Sequence, residues 1–317
     1  MDFASVFKSN PAFYIEVGRV KAGVTDCVLP LHPFKAVVLK YRSVLANILA
    51  NGRIPNESIE KSVESEIKKL NDYGILKGMD LEVVASATIL NRILSTVAIS
   101  PDIFIYICDA SKVKSIRKKL KRIKSLEIKA ISKNSLEYRL EINKIEGELL
   151  CYPECCINSF IELKQKSVLG GQPPETKAIV ECIERGLFSD ILKLLFSPKS
   201  ELPEEIYAFF TSNFYPCRID CEKAIEIGKS YEERLAGIYK TAYRCKLILN
   251  ATYCLISAFE SYKLVKAKKP KTEFGKTVLE FFDSLPSDKK EKLDKISKLL
   301  AIDPLDFENR FILMHLD

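Results

Sequence analysis

Five of the ten cysteines in this chain fall in two short windows, 151–156 (CYPECC) and 215–221 (YPCRIDC). Thiolate is the form of cysteine that binds metals and attacks electrophiles. Each window carries Tyr-Pro, as Tyr152-Pro153 and Tyr215-Pro216, and each runs on into a helical pattern. Ile157, Phe160, Ile161 and Leu163 follow the first; Ala224, Ile225 and Ile227 follow the second. Proline suits the first helical position, where its missing N–H costs nothing and its φ is already helical. The pattern therefore predicts Tyr152 and Tyr215 just ahead of two helix starts. Cys155, Cys156 and Cys217 then lie in first turns, with Cys221 one turn beyond Cys217. Exposed N–H donors and the positive end of the dipole favour thiolate there.

Spacing adds to this. Cys217 and Cys221 are four apart and would share a helix face. Cys151 and Cys155 have the same separation, although Pro153 interrupts a regular helix across them. If the windows converge, Cys155, Cys156, Cys217 and Cys221 supply four thiolates, with Cys151 as alternate ligand or free thiol. Such a set suits an iron–sulfur cluster, the first expectation, or zinc, the second. Neither window is a C-x-x-C, and no standard finger or ferredoxin spacing is matched. Disulfides, plain core cysteines and metal-free thiol or sulfur-transfer chemistry at the vicinal Cys155-Cys156 pair remain open. Tyr152, Tyr215, Glu154, Arg218 and Asp220 are the polar residues placed to orient ligands, bind an anionic substrate or move a proton. A first-turn acid complementing the helix dipole is the plainer role for Glu154 and Asp220.

Tyr152, Pro153, Cys155 and Cys156, then Tyr215, Pro216, Cys217 and Cys221, resemble the paired motifs of an uncharacterised, mainly archaeal family of unknown function. The resemblance covers the middle third to half of the chain. It implies a site and no particular reaction. A histidine that the family pattern places before the second motif is absent; Thr211-Ser212-Asn213-Phe214 stand there.

The elements that must position these windows are legible from periodicity. At 317 residues, with 47% hydrophobic and 29% charged side chains, the chain can build a sizeable core. No secretion signal or membrane-length apolar run is present, so a cytoplasmic protein without membrane contact is expected. Residues 13–29 alternate around Gly18 and Gly23 as a hairpin would. Three helices follow: one opened by His32-Pro33, one capped at Asn56 and stopped at Gly74, and one from 80 to 98. The run 102–109 (DIFIYICD) reads as a buried strand ending at Asp109, a turn or cap aspartate. A helix over 111–123 and strand patterns at 125–131, 136–142 and 148–150 complete a small β-α-β unit that delivers Cys151. Beyond Cys156 the pattern is helical, broken by the Gly170-Gly171-Gln172-Pro173-Pro174 loop. The expected fold is α+β: an N-terminal hairpin and helices, a small central β-α-β sheet and a helical C-terminal half. Four parts are expected, at 1–100, 101–150, 151–265 and 266–317.

The helix over 111–123 carries a second candidate surface. Lys114, Arg117, Lys118, Lys119, Lys121 and Arg122 surround its apolar stripe, with no acid among them. Such a face fits RNA or DNA phosphates, or is a solvated face whose counter-charges come from elsewhere in the fold. Net charge is only +7, and two histidines leave little material for histidine-based metal sites or triads. G-x-G-x-x-G, Walker and G-x-S-x-G signatures are absent. The first expectation is a cysteine-ligated metal protein forming part of an enzyme of unknown reaction. The alternative is a nucleic-acid-binding protein with a structural cysteine site.

Overall fold

A computed structural model describes residues 9–30, 34–52, 57–71, 76, 79–90, 98–168, 173–197, 201–212, 214–268 and 270–316. His32-Pro33, Asn56, Gly74, Asn213 and Gly170-Gly171-Gln172 lie outside the described residues. The chain divides into two compact units, Met1–Gly170 and Gly171–Asp317. An α+β fold with a helical C-terminal half is what the elements build.

The first unit opens with α1 (Pro11–Lys21), where a hairpin was expected. Proline sets the first turn, and all but two of its residues are buried. With so few polar positions, the 3.6 period has nothing to contrast against. A two-residue strand follows, β1 (Cys27–Val28). Helices α2 (Lys35–Ala50) and α3 (Glu57–Asn71) match their apolar stripes; Val37, Val38 and Leu45, then Ile59, Val63 and Ile67, are buried.

The third expected helix is instead a strand, β2 (Leu81–Leu90). Val83, Val84, Thr88 and Ile89 are β-branched, and a run buried on both faces shows no alternation. It pairs antiparallel with β3 (Ile99–Asp109), Val84 facing Tyr106 and Thr88 facing Asp102. The sheet order is β1-β3-β2, antiparallel throughout, so no β-α-β crossover forms. Asp109 accepts from the Ser111 N–H (2.8 Å), the capping role anticipated for it. Residues 125–131 and 136–142 are helical, within α4 (Val113–Lys133) and α5 (Leu136–Leu149). Leu126 and Ala130 prolong the i, i+3/i+4 row of Ile116, Leu120 and Ile123, and Asn134 ends α4 in a left-handed conformation (φ 46°). Those apolar residues pack with Ile142, Ile145 and Leu149 on the sheet face made by Val84, Tyr106 and Cys108.

β2 is an edge strand, and carboxylates close its outer border. Ala85 N–H donates to Glu64 (2.9 Å), Ala87 N–H to Glu60 (3.0 Å) and Ile89 N–H to Glu127 (3.3 Å). The geometry is commensurate: residues four apart on a helix rise about 6.0 Å, and outward N–H groups recur about every 6.8 Å along a strand. Glu64 and Glu60 are in turn paired with Arg117 (2.8 Å) and Lys124 (3.3 Å) of α4.

Among its described residues, the regular elements of the second unit are all helical. Its helices are α7 (Pro174–Glu184), α8 (Leu187–Phe196), a 3₁₀ stretch (Glu204–Phe209), α9 (Glu222–Glu233) and α10 (Gly237–Ala267). Three more follow, α11 (Glu273–Ser284), α12 (Ser287–Ile302) and α13 (Pro304–Met314), and the first unit ends with α6 (Glu154–Val168). α10 is the spine, buried on most sides from Ala242 to Tyr262. It also buries charge: Lys246 pairs with Glu308 of α13 at 2.5 Å. At Gly228 in α9 a Cβ would collide with the Tyr207 carbonyl, so only glycine admits this approach. Among the described residues, no helix is long and apolar enough to cross a membrane.

Candidate metal centre

The first window is set by how α5 stops. Tyr152 N–H donates to Gly147 C=O (2.9 Å) and Cys151 N–H to Glu148 C=O (3.4 Å). With Cys151 left-handed (φ 57°), this is a Schellman closure. Cys151 thus sits on a helix end and not on the strand end expected. The Pro153 carbonyl takes the first helical bonds of α6, from Cys156 (2.9 Å) and Ile157 (3.0 Å). Cys155 and Cys156 therefore occupy the first turn, as their spacing predicts. Cys155 is exposed and Cys156 buried, their sulfurs 4.0 Å apart. α6 seats closely on α5 because Gly147 leaves room: a Cβ there would stand 2.7 Å from Ile157 Cγ1.

The second window departs from expectation. Tyr215-Pro216 starts no helix. Cys217 lies in irregular chain, Cys221 N–H closes a turn on Arg218 C=O (3.1 Å), and α9 begins only after Cys221. Cys217 and Cys221 therefore share no helix face. The cause lies on α7 and its C-cap, where Lys177, Glu181 and the capping Arg185 are spaced four apart. Lys177 donates to Cys217 C=O (2.6 Å), Glu181 accepts from Ile219 N–H (3.0 Å), and Arg185 binds Asp220 (2.8 Å). Arg218 takes the other Asp220 oxygen at 2.9 Å. Asp220 is thereby committed to holding a turn, which competes with helix. This K-x₃-E-x₃-R row was visible in the sequence, but nothing local says which loop it grips.

The two tyrosines are anchors. Burial pushes the Tyr215 hydroxyl up to about 12, with a Ser257 hydrogen bond opposing it. Burial raises Tyr152 further, against the opposing charge of Arg19. Neither hydroxyl is tuned for proton transfer near neutral pH.

The sulfurs of Cys155, Cys156, Cys217 and Cys221 all lie within 4.8 Å of one another, a group that could hold a metal ion. Cys151, half-buried, is not part of it. The other five cysteines are buried. Burial pushes Cys108 and Cys245 up to about 12 and Cys27 higher still, while Cys182 is raised first by its hydrogen bond with Cys254. Cys27, Cys108, Cys182 and Cys245 are core thiols, kept protonated.

Residues 101–249 match the family model described as a protein of unknown function (DUF483). A match to an uncharacterised family is consistent with the resemblance stated above, and the matched residues contain both windows. No curated protein and no solved structure matches the chain.

The matched residues also contain the basic helix, α4, whose cations are largely spoken for. Arg117 pairs with Glu64, Lys121 with Glu57 (2.9 Å), Lys124 with Glu60 and Arg122 with Glu141. Lys119 reaches the Glu148 carbonyl at 3.5 Å. Lys114 and Lys118 are exposed, and among the described residues neither has an ion pair. Most of the counter-charges thus come from α3 and α5.

Proposed function

We propose that the protein is a cysteine-ligated metalloprotein in which Cys155, Cys156, Cys217 and Cys221 hold one tetrahedral ion, zinc ahead of iron. The observation that carries this is the sulfur spacing, with no pair beyond 4.8 Å. A tetrahedral ion with metal–sulfur bonds of about 2.3 Å places its thiolates about 3.8 Å apart. The 4.0 Å between Cys155 and Cys156 is close to that edge. Thiolates on different irons of a cluster stand further apart, by the separation of the metals. The spacing therefore supports a single ion over the iron–sulfur cluster that the sequence alone suggested first. Two of the sulfurs lie in the first turn of α6, and a third belongs to the residue that caps α9.

Four protein thiolates complete a tetrahedron and leave no position for water or substrate. That suits a structural ion, or with iron a one-electron carrier, better than hydrolysis. The test is metal and sulfide content with an absorption spectrum, on protein purified without oxygen. One colourless zinc per chain is expected, lost on Cys155→Ser or Cys217→Ser and kept on Cys151→Ser, Cys182→Ser or Cys254→Ser. Iron with acid-labile sulfide would replace the single ion by a cluster. Protein that neither carries nor takes up zinc or iron would reject the reading.

A further inference from the structure

We propose that peroxide unloads this centre, with Cys155 the first thiolate oxidised and Cys217 its disulfide partner. This rests on the four-cysteine reading above. The four sulfurs are unequal in access. Cys156 and Cys221 are 2% and 7% exposed, Cys217 is half-buried, and Cys155 alone is exposed. Oxidation of a cysteine follows its access, so Cys155 is where a small, uncharged hydroperoxide arrives first.

Geometry then selects the partner. Cys156 is adjacent in sequence, and consecutive Cα atoms are about 3.8 Å apart, below the roughly 4.4 Å that ordinary disulfides need. Cys221 is buried, and its carbonyl anchors the first turn of α9 through Ala224 and Ile225 N–H (3.0 Å each). Moving it would cost helical hydrogen bonds. Cys217 lies in irregular chain between Pro216 and the turn at Arg218, and its displacement breaks no helix.

The chemistry balances. The Cys155 thiolate attacks hydrogen peroxide, the O–O bond breaks, and sulfenic acid and hydroxide form. The Cys217 thiolate attacks that sulfur and expels a second hydroxide. Two sulfurs lose two electrons in total, peroxide gains them, and both hydroxides become water on protonation. Two thiolates remain, too few to retain the ion, and a dithiol reductant reverses the step by exchange.

The experiment is a titration of zinc-loaded protein with hydrogen peroxide in the presence of a chromogenic zinc indicator, followed by peptide mapping. Release of one zinc per chain is expected, with one Cys155–Cys217 disulfide, both reversed by dithiothreitol. Cys182→Ser should behave like the parent. Because Cys217→Ser removes a ligand, the mapping on the unaltered chain decides. Zinc retained under excess peroxide would overturn the proposal and leave the metal centre standing. So would release with sulfinic or sulfonic acid at Cys155, a disulfide elsewhere, or dependence on Cys182. Protein that holds no metal before peroxide is added would instead refute the centre itself.

Discussion

Glu308→Gln tests the polar heart of the helical unit. Lys246 and Glu308 are 2% and 1% exposed and 2.5 Å apart. Tyr253 donates its hydroxyl to the other carboxylate oxygen at 2.5 Å, and the Lys246 ammonium also donates to Ser212 Oγ at 3.0 Å. Ser212 in turn donates to Asn250, whose amide donates to the Phe209 carbonyl at 3.0 Å. Replacing the carboxylate with an amide keeps the shape and strands a charge in the core, which costs about 3–5 kcal/mol. In a unit of this size that is a fall in midpoint on the order of 10 °C. Lys246→Met with Glu308→Leu removes both charges and should recover most of the loss, leaving about 1–3 kcal/mol for the stranded Tyr253 hydroxyl. Adding Tyr253→Phe should close that gap. Urea denaturation followed by circular dichroism measures each step. A Glu308→Gln cost under about 1 kcal/mol, or a double variant weaker than the single one, would refute the reasoning. Ser212 lies three residues before Tyr215, so Glu308→Gln should also weaken zinc retention against a competing chelator.

Gly147→Ala forces the 2.7 Å contact with Ile157. An overpacking cost of about 1–3 kcal/mol less a helix gain of about 1 kcal/mol should leave it mildly destabilised; urea midpoints check this. The shift of α6 should show as faster zinc loss, and unchanged loss would mean that the contact does not seat the cysteines. Glu64→Ala strands the Ala85 N–H and should cost about 1–3 kcal/mol. Amide exchange should quicken at Ala85 and not at Val84 or Ser86, whose N–H groups face β3. Asp109 is held below the usual aspartate range by hydrogen bonds from the Ser111 hydroxyl and N–H. Its folded pKa is depressed, so its contribution is complete above the ordinary value of about 3.9 and is lost as pH falls through the folded value. The melting gap between the parent and Asp109→Ala should therefore hold near neutral pH and shrink in acid; a constant gap would refute the linkage. Lys114→Gln with Lys118→Gln should leave the melting temperature unchanged, since neither lysine has an ion pair among the described residues. A drop in the midpoint would show that the pair is structural.

What the sequence disclosed was chemistry more than path. Cys155 and Cys156 could be placed in a first turn because proline and an apolar helix flank them, a purely local signal. Cys217 could not, because its backbone answers to Lys177, Glu181 and Arg185, some forty residues earlier in the chain. Helices with a polar face, such as α2 and α3, were readable. α1 and β2 were not: both are buried nearly throughout, and burial erases the contrast that distinguishes a period of 3.6 from one of 2. The basic face of α4 was seen correctly as charge and incompletely as function. A single sequence shows cations but not the glutamates of α3 and α5 that meet them.

Those glutamates have a consequence for how this chain meets copies of itself. An edge strand with open N–H groups is a template on which another chain can polymerise. Here recruitment at β2 would have to evict Glu60, Glu64 and Glu127 together, two of them already neutralised by Arg117 and Lys124. The opposite border, β1, has only two residues to offer. Among the described residues the sheet has three strands, and α3 and α4 guard its long edge against recruitment of a further chain.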